Sequence, residues 1–446
     1  MAQQFQSSRR KRGVILSSRG WQRVQSAEQK SAEQDNGSRA YTLDQLSERT
    51  GLSPNTITKV RRRRLAVDRQ TLEFYFSAVG LELTPEDYIS LDPDTANVSR
   101  SQTPLQGQVP LDSPYYIERQ PDEQIAYEEV LQPGALIRIK APQQSGKTSL
   151  MTRILASARD KGMREAVVSL QLADSSVLTD FNRFLRWFCA VVTHSLHLPN
   201  RVDEYWNEVY GSSYNCTNYF ERYLLTEIDN PIVLALDEGD ILFKHPILAN
   251  DFMAMVRAWN EKSRYGNDGS ELWQQLRLVV IHSAESLVGL PFNLNHSPFN
   301  IGLSIELKNF NQEQVQELIQ RYGINNHQRI APDLMSFLGG IPYLIQLTLH
   351  HISNREVSFS QIKEEAISTN SIFSSHLRNL FAKLQQSYPQ LIPLLQQVVN
   401  ASEPIVLDPI DAFNLQCVGL IRSINLHVEP SCILYQQYFS QVLRRF

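Results

Sequence analysis

The stretch LIRIKAPQQSGKTSL, residues 136–150, constrains the fold of this chain more than any other. ALIRIKA (135–141) is an apolar run with the look of a strand. It breaks into a polar turn, and a helical pattern starts directly at Lys147 and runs to Arg159. The turn approaches G-x-x-x-x-G-K-[ST], with Gly146, Lys147 and Thr148 in place and Ala141 where the opening glycine is expected. A strand, a tight loop and a helix in direct succession curl backbone N–H groups around an anion at a helix N-terminus. In such a loop Gly146 stands where a side chain would collide with phosphate. Lys147 reaches the β- and γ-phosphates, and the Thr148 hydroxyl holds Mg²⁺. Gln144, Ser145 and Ser149 complete the expected ATP-binding run. A methyl group at 141 is tolerable unless that residue needs φ > 0, where it would cost about 1 kcal/mol.

Four more apolar runs follow: EAVVSLQL (165–172), PIVLALDE (231–238), LRLVVIHS (276–283) and NIGLSIEL (300–307). Short runs of this kind, separated by helical stretches, fit strands buried on both faces of a parallel sheet. The third ends in Asp237 and Glu238. At a strand terminus beside a phosphate loop, the aspartate can hold Mg²⁺ and the glutamate can polarise an attacking water. A solvated acidic turn would look the same in isolation; the pairing with GKT favours a nucleotide site. The strand at 165–172, between the two motifs, points to the P-loop subclass that uses a catalytic glutamate. Ser283 ends the next strand, where such ATPases keep a polar γ-phosphate sensor. The expected catalytic set is therefore Glu238, Lys147 and Ser283, with Thr148 and Asp237 on magnesium. Arg257 and Arg264 are weaker candidates for arginine fingers.

The net charge of −4 hides an asymmetry. Residues 1–72 hold 15 Lys/Arg against 6 Asp/Glu, and the rest hold 28 against 41. A basic front end on an acidic body suggests a polyanion-binding module on a carrier. Within it, YTLDQLSERTGLSPNTITKVRRRR (41–64) reads as a helix-turn-helix. Leu43, Leu46 and Ser47 form the inner face of a first helix, and Gly51 breaks it. Ser53 and Pro54 then form a strong helix start. Ile57 and Val60 point inward. Asn55, Thr56 and Lys59 point out from the part of a recognition helix that meets base edges of double-stranded DNA. Arg61, Arg62, Arg63 and Arg64 follow, and a run of four serves phosphates rather than bases. A small helical protein-interaction domain is the alternative.

The 446-residue length implies several domains. We expect a helix-turn-helix domain over 1–90, a Pro/Ser/Asp-rich linker over 91–114, an α/β P-loop ATPase domain over 115–308, a helical lid over 309–370 and a winged-helix-like domain over 371–446. GLIRSINLHVEP and SCILYQQYF read as a late β-rich stretch. No run reaches the ~18–20 apolar residues of a membrane span, and the N-terminus lacks the apolar core of a secretory signal. The four cysteines are widely spaced, as expected of reduced thiols. A cytoplasmic protein is the expectation.

The residues SRRKRGVILSSRGW, YTLDQLSERTGLSPNTITKV, VDRQTLEFYFSAVGLELTPEDY, the stretch SPYYIERQ…SGKTSL, LALDEGD, LGGIPYLIQL and GLIRSINLHVEPSCILYQQYF resemble a largely cyanobacterial family. Its members join an N-terminal helix-turn-helix to an AAA-like P-loop domain related to AAA+ and STAND ATPases. In that family the loop commonly opens Ala-Pro, so Ala141 is a family trait. Gln143, Gln144 and Ser145 depart from its more usual Arg-Gln-Met. Gly339, Gly340 and Pro342 resemble a nucleotide-sensing lid motif, with Ile341 where a histidine is usual. The resemblance implies a winged helix from Asp408 onward and nucleotide-dependent self-association. Three functions stay open on these grounds: an ATP-switched DNA-binding regulator, a nucleotide-gated protein adaptor in a defence or signalling system, and an ATPase that loads machinery on DNA.

Overall fold

The computed structural model describes residues 13–35, 41–63, 67–90, 107–266, 269–288, 301–325, 327–355 and 357–445. The chain divides into two compact units, residues 1–104 and 105–446.

In the first unit β1 (Val14–Leu16) pairs antiparallel with β2 (Tyr88–Ser90). Between them lie α1 (Ser18–Asp35), α2 (Leu43–Thr50), α3 (Pro54–Arg62) and α4 (Arg69–Ala78). The helix ends follow their sequence signals. Thr42 and Gln45 form a reciprocal capping box at the start of α2, and Gly51 ends it at φ 68°. The Ser53 hydroxyl accepts the Thr56 N–H at the start of α3, with Pro54 in the first turn. Leu46, Ile57, Val60, Leu72, Tyr75 and Phe76 close a small core with Val14 and Leu16. Leu43, expected inside, is exposed. One turn before Leu46 it lies past the edge of that narrow core, and Ser47 turns its hydroxyl to Leu52 O at 2.6 Å.

The second unit is built on a five-stranded parallel sheet in the order β4-β5-β6-β3-β7. The strands are β3 (Leu136–Ala141), β4 (Arg164–Ser169), β5 (Ile232–Asp237), β6 (Leu276–Ser283) and β7 (Leu303–Glu306). Alternate residues serve opposite faces. Ile137, Ile139, Val233, Ala235, Val279 and Ile281 pack with α5 (Asp122–Glu129) and α6 (Lys147–Asp160). Leu234, Leu236, Leu278 and Val280 meet an aromatic-rich layer that includes Phe184, Phe188, Phe252 and Trp259. In space β6 lies between β3 and β5, so the two candidate motifs sit two strands apart at the same end of the sheet.

Beyond β7 the chain is helical and shares a third core, which includes Phe310, Leu318, Phe337, Leu344, Leu395 and Phe439. After the helix Pro409–Cys417 comes a hairpin of β8 (Ile421–Ile424) and β9 (His427–Pro430), turning at Asn425 with φ 57°. The segment SCILYQQYF is not β: Ile433–Val442 is a helix. Its β-branched and aromatic composition imitates a strand. Yet Leu434, Tyr435 and Phe439 are its buried residues, on the i, i+1, i+5 spacing of one helical face. No described helix is long and apolar enough to cross a membrane.

Candidate functional site

The site grows from the end of β3. Ala141 is buried and has no left-handed backbone, so the missing glycine costs nothing there. The positive φ angles of the loop fall instead at Gln144 (60°) and Gly146 (90°). That alternation turns the backbone into a cradle at the N-terminus of α6. A methyl group on Gly146 would come within 2.8 Å of Arg119 Nη2. Arg119 is nearly buried and donates to Ser145 O at 2.8 Å and Lys308 O at 3.3 Å, bracing the loop from outside.

Inside the loop, Lys147 Nζ donates to Ala141 O at 3.0 Å and Pro142 O at 2.9 Å. Burial lowers the amine to about 8, against the pull of Asp240 and Asp237. At the end of β5, burial raises the Asp237 carboxyl above its usual range. Hydrogen bonds from the Glu238 N–H and the Thr148 hydroxyl, together with the Lys147 charge, offset part of that rise. Thr148 and Asp237 line the same cavity, and both offer hard oxygen donors of the kind Mg²⁺ takes. The Gly146 cradle and this oxygen pair fit a magnesium nucleotide.

Glu238 adopts φ 60°, and its Oε2 accepts from Ser169 Oγ at 2.8 Å. Ser169 ends β4, next to Asp237 in register. Sequence reasoning missed it; only the pairing of β4 with β5 brings it in.

A cavity of about 400 Å³ joins Gln144, Gly146, Lys147, Thr148, Ser149, Asp237 and Glu238. Its far wall is apolar, with Val109, Tyr116, Ile117, Phe310, Pro342 and Tyr343. Two expected residues do not line it. Ser145 is buried behind the loop. Ser283 is also buried: its N–H donates to Asp240 and its hydroxyl caps Glu285 N at 3.4 Å. The hydroxyl oxygen thus caps the 3₁₀ turn that follows β6. His282 is buried too, and burial lowers its ring to about 4, so it is neutral near pH 7. Arg257 pairs with Glu261 on its own helix.

Gly339 and Gly340, both at positive φ, form the turn before Pro342. A methyl group on Gly340 would lie 2.2 Å from Phe310 O, so this turn admits only glycine. On the other side of the loop, His376 Nδ1 lies 2.8 Å from Gln144 Oε1 and Nε2 lies 2.8 Å from Tyr435 Oη. No local motif marks His376.

A family model for the AAA-like domain matches residues 104–441. The chain belongs to the AAA-like domain family. Among solved structures, this AAA-like protein is similar to a Walker-type ATPase of Pyrococcus abyssi. The two share 11% identity at a TM-score of 0.52, over 75% of this chain and 98% of that one. It also matches the ORC2 protein of Aeropyrum pernix, solved as ADPNP–ADP complexes, at 12% identity and a TM-score of 0.47, over 74% of this chain and 95% of that one. The Pyrococcus likeness is one of fold: a parallel-sheet, P-loop ATPase-like core. No curated protein matches this sequence.

In the first unit, Asn55 and Lys59 are exposed on α3, and Thr56 is half-buried with its hydroxyl 2.9 Å from Ser53 Oγ. Arg61 is turned inward. Its guanidinium pairs with Glu28 at 2.6 Å and lies over Trp21, while Glu28 also accepts from Tyr75. Arg63 ends α3 in a left-handed conformation. The side chain of Arg62, and all of Arg64, Arg9, Arg10, Lys11 and Arg12, lie outside the described residues.

Proposed function

We propose that this protein is a nucleotide-driven switch that binds Mg-ATP in the cavity at the end of the sheet and hydrolyses it. The observation that carries the reading is the convergence of Lys147, Thr148, Asp237 and Glu238 on one cavity. Lys147 would exchange its two carbonyl partners for phosphate oxygens. Thr148 and Asp237 would hold magnesium, whose charge neutralises the phosphates when bound. Glu238 would orient the attacking water and accept its proton. Ser169, which donates to Oε2, would fix the orientation of the carboxylate and leave Oε1 to the water. Residues 115–308 would form the ATPase domain, 309–370 its lid, and 371–446 a winged-helix-like domain.

The front unit, residues 1–90, would bind double-stranded DNA as a helix-turn-helix. Asn55 and Lys59 support this by their exposure on a well-capped second helix, and the basic excess of residues 1–72 supplies phosphate affinity. Arg61 serves the interior and is left out of that surface. Cytoplasmic residence and nucleotide-dependent self-association belong to the same reading.

Turnover of Mg-ATP by the full chain, with and without duplex DNA, tests it beside Lys147→Ala and Glu238→Gln. Loss of turnover in both variants, with ATP still bound by Glu238→Gln, supports the switch. Stimulation by duplex would favour an ATPase that loads machinery on DNA. ATP binding without turnover under every condition would replace hydrolysis by a nucleotide-gated adaptor.

A further inference from the structure

Behind the phosphate loop lies a second cavity, of about 270 Å³. Pro142, Gln143, Gln144 and Ser145 form one wall of it, and of these only Gln144 also lines the nucleotide cavity. The facing wall belongs to the helix Ser374–Ser387 and to residues around the β8–β9 hairpin. Three charged side chains line it: Glu285, Lys383 and Arg422. Arg422 is paired with Glu429 on the hairpin. His376 lines the cavity too, and burial lowers its ring to about 4, so it is neutral near pH 7. Glu285, in the 3₁₀ turn after β6, is buried, and its Oε2 accepts from Lys383. Burial lowers the Lys383 amine to about 8, so it is still an ammonium at pH 7.

That pair has hydrogen-bonding capacity to spare. A carboxylate accepts on both oxygens, and an ammonium carries three donors. Among the described residues Glu285 Oε1 accepts from none, and Lys383 donates to Oε2 alone. A monoanion entering the cavity would meet the Glu285 carboxylate, and a monocation the Lys383 ammonium. A small zwitterion suits both, because its ammonium donates to the one and its carboxylate accepts from the other. The amides of Gln143 and Asn379 add polar contacts, and Ile341, Leu380, Val418 and Ile421 give the cavity an apolar side. A volume just below the ~300 Å³ at which drug-sized sites begin suits a molecule of amino-acid size. We propose that this cavity binds a free α-amino acid, its ammonium on Glu285, its carboxylate on Lys383 and an apolar side chain against Leu380 and Ile421. Gln144 ties the site to the phosphate cradle. Its side chain meets His376 here, while its backbone, at φ 60°, shapes the cradle. The amino acid is therefore an effector of ATP affinity, and this coupling, unlike the binding itself, rests on the ATP reading above.

The test uses the full chain at pH 7, melted without nucleotide in the presence of each proteinogenic amino acid in turn. At least one with an apolar side chain is expected to raise the melting temperature, and calorimetric titration then gives its affinity. Its N-acetyl and carboxamide derivatives, each lacking one charge, should bind about tenfold more weakly or worse. Glu285→Gln and Lys383→Met should lose the amino acid to the same degree. Because either change opens a buried pair, Asn379→Trp serves as a second variant: it leaves the pair intact and fills the cavity from its exposed rim, and it too should abolish binding. No amino acid that stabilises the chain, derivatives that bind as well as the parent, or full binding by Asn379→Trp overturns the proposal. So does competition by Mg-tripolyphosphate, which would assign the cavity to the nucleotide. Saturating amino acid is expected to shift the ATP affinity, and ATP the amino acid affinity, by the same factor; an unmoved ATP affinity overturns the coupling. A wild type that takes the amino acid but no ATP removes the nucleotide reading and the coupling, and keeps the site.

Discussion

Lys147 pays a burial cost whenever the loop holds no phosphate. Its amine is lowered from 10.5 to about 8 by desolvation. Below pH 8 the folded and unfolded chains both carry the proton, so the full cost stands. Between pH 8 and 10.5 the folded chain has shed it while the unfolded chain has not, and the cost fades. Lys147→Met should therefore raise the melting temperature at pH 7 in the absence of nucleotide, with a gap that narrows by pH 9.5. Added Mg-ATP should reverse the order by stabilising only the wild type; thermal melts at the two pH values check both. Gly146→Ala adds a methyl group at φ 90° against Arg119, which Ser145 and Lys308 hold in place. A cost of about 1–3 kcal/mol and at least a tenfold loss of ATP affinity are expected, read from denaturant midpoints and calorimetric titration.

Among the elements, α3 separates stability from recognition. Ser53→Ala removes the cap of α3 and should cost the front unit about 1 kcal/mol, visible as a lower denaturant midpoint. Lys59→Ala changes an exposed side chain and should leave that midpoint within about 0.5 kcal/mol. If Lys59 meets a phosphate, the substitution should weaken duplex binding and reduce the slope of log K against log salt by about 1. An unchanged slope would take Lys59 off the DNA surface. Arg61→Ala should behave in the opposite way, destabilising the unit through loss of the Glu28 pair and the Trp21 contact.

At the scale of the whole molecule, the two compact units each have their own core. Heating should therefore resolve two transitions. Saturating Mg-ATP should raise only the one that belongs to residues 105–446, by about 2.7 kcal/mol when ligand stands at a hundred times its dissociation constant. Duplex DNA should raise only the other. A single transition shifted equally by both ligands would mean that the units unfold together. Scanning calorimetry of the full chain decides between these outcomes.

Local signals determined much of this protein. The run from β3 into α6, the acidic end of β5, and the caps at Thr42, Gly51, Ser53 and Pro54 each depend on neighbours within a few residues. Their chemistry is therefore complete in the sequence. So are the short, nearly continuous apolar runs that bury both faces of the sheet. Tertiary structure decided what lies opposite each piece. Ser169 reaches Glu238 only because β4 pairs with β5, Arg119 braces Gly146 from a distant turn, and His376 comes to Gln144 from the far end of the chain. It also withdrew groups that looked free: Arg61 to Glu28, and Ser283 to its own turn. The helix at Ile433–Val442 belongs to the same class, since its apolar residues suit either a strand or a helix until a third core supplies one face to bury. Contacts between residues far apart in the chain leave no periodicity and no spacing to read. They exist only once the backbone has closed and burial has chosen which polar groups must find partners.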